Sequence, residues 1–129
     1  MQRADMKDQQ SIDAVHSVCL PGEERAYEEH CRVTFDLLAP VGGFERLIAQ
    51  SIADGQWRLQ RARSIEATLS DGRLGASDRS LRLLKQYQRN IQRACNSDLA
   101  HLKSAQAKRK KARQEAIQEA MNTPTSSIN

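Results

Sequence analysis

The sequence predicts an all-α protein: an antiparallel three-helix bundle with a long, protruding, coiled-coil-like third helix. Three observations point there. A helical pattern runs from Ser77 to about Asn122 with no Gly or Pro inside it, and at roughly 1.5 Å per residue it would be close to 70 Å long. Two shorter windows upstream repeat apolar residues at helical spacing and are set apart by Pro- and Gly-containing breaks. Only 4% of the residues are aromatic, so the interior must be built from Leu, Ile, Val and Ala on helix faces.

The first helix is expected from Glu23 to Leu38, with Glu23 and Glu24 where the positive end of the helix dipole favours acids. Tyr27, Cys31, Phe35 and Leu38 would form its buried face, and Ala39-Pro40 with Gly42-Gly43 would end it. The second helix is expected from Gly43 to Ser70. Its main apolar stripe runs through Phe44, Ile48, Ile52, Gly55, Leu59, Ala62 and Leu69, with Leu47 and Ile65 at the edge. Ala49, Ala53 and Trp57 fall on its other side, so this helix should be the central one, and Gly55 should let a neighbour approach closely. The turn-forming stretch Asp71 to Asp78 leads to Ser77 as the N-cap of the third helix. Leu84, Tyr87, Ile91, Ala94 or Cys95, Leu99 and Leu102 would carry its apolar stripe. The pairing should be antiparallel, with the third helix outlasting the second by about 17 residues, or roughly 25 Å.

Around this bundle domain, residues 15–122, the reading places a disordered N-terminus over 1–14 and a disordered tail over 123–129. The short apolar segment Val15 to Leu20 is expected as an extended strap, stopped by Pro21 and Gly22. No apolar run reaches the roughly 20 residues of a membrane span, and the first ten residues carry no apolar signal core. A soluble, cytoplasmic protein is the expectation. Cys19, Cys31 and Cys95 are odd in number and widely spaced, which argues against disulfides, and Cys31 and Cys95, near apolar stripes, are expected as small core residues.

The net charge of +4 conceals a split. Residues 1–54 carry 5 basic and 10 acidic side chains, whereas residues 55–129 carry 15 basic and 6 acidic ones. Such a division suits self-association through opposite ends or an anionic partner for the second half. The plainer reading is that long helices carry charge for solubility. Arg82, Lys85, Arg89 and Arg93 form one positive stripe on the third helix, and Lys103, Lys108, Arg109, Lys110, Lys111 and Arg113 form a denser group on its expected projection. Cations gathered on one accessible surface bind phosphates by releasing counterions. No aromatic residue interleaves the run, so stacking on single-stranded bases is not expected.

The chain has no phosphate-binding glycine loop, dinucleotide fingerprint, zinc-protease helix or nucleophile elbow. His16, Cys19, His30 and Cys31 are soft metal ligands, but their spacing matches no standard zinc pattern. No catalytic residue, cofactor, metal or small-molecule substrate is therefore expected.

The segments V-C-L-P-G-E-E, F-D-L-L-A-P, E-R-L-I-A-Q-S-I-A-D-G-Q-W-R-L-Q-R-A and L-R-L-L-K-Q-Y-Q-R-N-I-Q-R follow one another between Val18 and Lys108. In that order they resemble a large family of uncharacterised soil-bacterial proteins with V-L-P-G-E, W-R-L-R-R-type and R-Y-E-x-R-type segments. The resemblance covers about 90 residues and implies helical architecture, with Trp57 and Tyr87 as packing residues. Members usually open with a basic segment ending in an N-A-L-K-H-G-L-like motif, which these 129 residues do not contain, so no role of that opening is carried over. The family offers no established activity to transfer. The leading expectation is a non-enzymatic interaction or scaffold protein that pairs with itself or a helical partner through its long helix. The alternative is a non-specific nucleic-acid binder using residues 103–113.

Overall fold

The computed structural model describes residues 19–70 and 77–123. It consists of helices α1 (Glu24–Leu38), α2 (Gly42–Ser70) and α3 (Asp78–Asn122). Each helix starts within one residue of its sequence prediction. Of the segments expected to be disordered, 1–14 and all of 123–129 but Thr123 lie outside the described residues, as does all of the expected strap but Cys19 and Leu20.

Local chemistry sets the helix ends. Before α1, Pro21 and Gly22 occupy the middle of a tight turn closed by Glu23 N–H donating to the Leu20 carbonyl at 3.0 Å. Gly22 takes φ +90°, which the third position of such a turn requires. The carboxylates of Glu23 and Glu24 accept from the backbone N–H groups of Leu20 and Gly22, both at 2.9 Å. The end of α1 is less usual. Ala39 adopts left-handed φ 49° and donates its N–H to the Phe35 carbonyl, and Pro40 follows. At the start of α3, Ser77 Oγ accepts from Ser80 N–H at 3.2 Å, as the cap reading requires.

The three helices form a bundle in which α2 is the central member. Between α1 and α2 the antiparallel register is marked by Glu23 with Arg61, Tyr27 with Asp54, and His30 with the Ala53 carbonyl. Between α2 and α3 it is marked by Glu45 with Arg109, Ser51 with Asp98, and Glu66 with Gln88. No Cα of α1 comes within 8 Å of one in α3. The side chain of Gln106 reaches from α3 to α1, its Nε2 donating to the Leu38 carbonyl at 2.8 Å.

Burial follows this layout. Ala49 and Ala53 are fully covered, as are Ile52, Leu59 and Ala62 on the other main stripe. A Cβ built at Gly55 would collide with Cys95 Sγ, so the two backbones do approach closely there. On α3, Leu102 is 1% exposed and anchors the helix together with Cys95.

The predicted stripes need correction at their edges. Phe44 is 67% exposed and Leu47 71%, and Ile65 and Tyr87 are exposed as well. On α2 the reason is the number of neighbours: α1 and α3 occupy two separate faces, and among the described residues no third helix covers the flanks between them. Ile91 is only half-buried, while Leu59 on α2 is buried. On α1, Tyr27, Cys31, Phe35 and Leu38 are all half-buried, and the most enclosed side chain is Thr34, whose hydroxyl donates to the His30 carbonyl at 2.8 Å.

Candidate interaction surfaces

The seam between α1 and α2 is polar. Tyr27 donates to Asp54, and Gln50 Nε2 donates to Asp54 Oδ1 at 3.0 Å and to Tyr27 Oη at 3.1 Å. Burial, then the hydrogen bond to Asp54, pushes the Tyr27 hydroxyl above its ordinary range. Trp57 stacks edge-on against Tyr27 and tilts against His30, at centroid distances of 5.6 and 5.4 Å. His30 is held by the Ala53 carbonyl at 2.9 Å, and Cys19 is buried. Among the described residues no group of three or more His, Cys, Asp and Glu is placed to hold a metal ion, and His16 lies outside them. With its side chains turned on one another, the seam fixes how α1 sits on α2.

The first turn of α2 and the middle of α3 are joined by a charged pair. Glu45 is buried, accepts from Arg109 Nε at 2.9 Å, and takes the Val41 N–H at 3.0 Å on its other oxygen. The Arg109 guanidinium, followed by that backbone bond, holds the Glu45 carboxyl below the usual carboxylate range. Arg109 is therefore part of the bundle, which corrects its expected place on a free projection. With Arg109 level with Glu45, α3 passes the first residue of α2 only near residue 112. The overhang is about ten residues, or roughly 15 Å, rather than the predicted 25 Å. Lys103 and Lys108 are exposed alongside α2, Lys110 and Lys111 stand level with its start, and Arg113 opens the overhang. From residue 110 onward every described side chain is exposed, including Ile117 at 49% and Met121 at 75%.

The other basic stripe meets a groove. Between the second half of α2 and the first half of α3 lies an open cavity of roughly 680 Å³ with Leu59 and Leu83 among its lining. Arg63 from α2 and Arg79, Arg82, Lys85 and Arg89 from α3 also line it. Among the described lining residues the one acid is Glu66, which accepts from Gln88 Nε2 at 2.6 Å. Leu59, Arg63 and Gln92 also line a second cavity of roughly 510 Å³ farther along the same helices, with Ile52, Leu99 and Leu38 in its lining. Arg93 is exposed but outside the lining. The structure thus gathers Arg82, Lys85 and Arg89 and separates them from the 103–113 group. Sequence reasoning missed Arg63 and Arg79 as members of this set and Glu45 as the partner of Arg109. The signal for them is tertiary, since Glu45 and Arg109 lie 64 positions apart.

No protein-family model, curated protein or solved structure matches the chain. Among the described residues no helix is long and apolar enough to cross a membrane.

Proposed function

We propose that this protein is a non-enzymatic helical interaction module that self-associates through the overhanging end of α3. The observation that carries the reading is the uncovered apolar strip on that overhang. Ala116, Ile117, Ala120 and Met121 share one exposed side of the helix, and none of the described residues covers it. A ten-residue helix end is marginal alone and gains stability chiefly by burying such a side. The charges favour a second copy set antiparallel, because Lys110, Lys111 and Arg113 precede Glu115 and Glu119. Reversed on itself, this order brings each basic end to an acidic one, a self-complementary two-fold contact. The cytoplasmic location and the kinship with the soil-bacterial helical family belong to this reading. The unpaired thiols Cys19, Cys31 and Cys95 support the first, and the helical architecture supports the second.

Sedimentation velocity of the full chain over a concentration series tests it. A monomer–dimer equilibrium is expected, and Ile117→Gln with Met121→Gln should weaken it by at least about tenfold, since each side chain gives up roughly 1 kcal/mol or more of burial. A chain that stays monomeric to about 1 mM would end the reading. A second reading, non-specific nucleic-acid binding, is favoured by the exposed surface of Lys103, Lys108, Lys110, Lys111 and Arg113, of which Lys111 lies 3.9 Å from Glu115.

A further inference from the structure

The groove between α2 and α3 lies at the opposite end of α3 from the overhang and asks for a different occupant. We propose that it docks one acidic amphipathic helix of a protein partner, as a fourth helix of the bundle. Its length fits. From Ile52 to Glu66 on α2 the groove follows 14 positions, roughly 21 Å or four helical turns. Its floor fits, because exposed Leu83, half-buried Leu99 and the aliphatic stems of Arg63, Arg82 and Arg89 offer an apolar strip above the buried Ile52 and Leu59. Its rim selects the charge: Arg63, Arg79, Arg82, Lys85 and Arg89 line the opening, against one acid among the described lining residues, Glu66, which accepts from Gln88. A helix with carboxylates flanking an apolar face meets floor and rim at once. A nucleic-acid duplex would satisfy the rim alone and leave the floor without an apolar partner. The charge pairing has a precedent on another side of α2, where the acid-rich α1 lies against it and Glu23 pairs with Arg61.

The proposal rests on the reading of the protein as an interaction module and not on its self-association. The test is fluorescence anisotropy with the full chain and a designed peptide of about 16 residues, with Leu at i, i+3, i+4 and i+7 and Glu on both flanks. A scrambled peptide of the same composition and a duplex DNA of about 20 base pairs are the controls. Saturable one-to-one binding of the patterned peptide is expected. Arg82→Glu with Arg89→Glu should weaken it by at least about tenfold, and Leu83→Gln, at an exposed position, by several-fold, with circular dichroism confirming that both variants fold. Gln at Lys108, Lys110, Lys111 and Arg113 should leave it unchanged. No saturable binding, equal binding of the scrambled peptide, or displacement of the peptide by DNA would overturn the proposal. So would loss of self-association in the Arg82→Glu, Arg89→Glu variant, which would give the groove to a second copy. Sedimentation of the chain alone reports self-association separately, so peptide binding by a strictly monomeric protein would end the overhang reading and leave this one standing.

Discussion

Glu45 shows how one side chain can tie distant parts of the chain together. Its carboxylate is buried at the start of α2 and is satisfied by Arg109 from α3 and by the Val41 N–H. Because its folded pKa is lowered, chiefly by the Arg109 hydrogen bond, its contribution to stability is complete above the ordinary glutamate range near 4.3 and is lost as pH falls through the lowered value. The melting temperature of the parent should therefore fall more steeply between about pH 5 and pH 3 than that of Glu45→Gln, which has no charge to lose. Parallel curves would show that the pair contributes nothing on folding. Nothing near Glu45 in the sequence announces this role, because an acid in the first turn of a helix reads as a dipole partner.

At the scale of the helices, the α2–α3 contact turns on shape. Gly55 sits against Cys95 and Ile91 with no room for a side chain. Gly55→Leu should lower the melting temperature, although Leu is the better helix former by nearly 1 kcal/mol, because overpacking typically costs 1–3 kcal/mol. A stabilised variant would mean that the helices can part at little cost. On α3, Leu102→Ala should cost about 2–5 kcal/mol, since the side chain is fully enclosed. Ile91→Ala should cost clearly less because Ile91 is half-buried. Equal losses in chemical denaturation would contradict the observed burial. Both positions belong to the same 3–4 spacing in the sequence; the spacing gives a face, and the number of neighbours decides how much of it is covered.

At the scale of the whole molecule, α2 supports one helix on each of two faces, and the positive charge of the second half divides between a groove and an exposed surface. The exposed set supplies the test of nucleic-acid binding. Lys108, Lys110, Lys111 and Arg113 are changed to Gln, and Arg109 is left in place because it holds Glu45. Stability should be nearly untouched, since exposed charges contribute little. If the parent binds duplex DNA, the slope of log affinity against log salt should become shallower by up to about 3.6. A parent that shows no binding at moderate salt ends that reading.

By itself the sequence determined the three helices, their ends to within a residue, the central place of α2 and the close approach at Gly55. Each of these follows from local rules: turn residues, caps, and apolar spacing along a single helix. Only the tertiary structure decided that Arg109 is committed to Glu45, that the overhang is shorter than the chain lengths implied, and that Arg63 and Arg79 join Arg82, Lys85 and Arg89 around one groove. Those facts depend on the register between helices and on which flanks stay open. Register is fixed by contacts between residues tens of positions apart, and a periodic pattern carries no record of them.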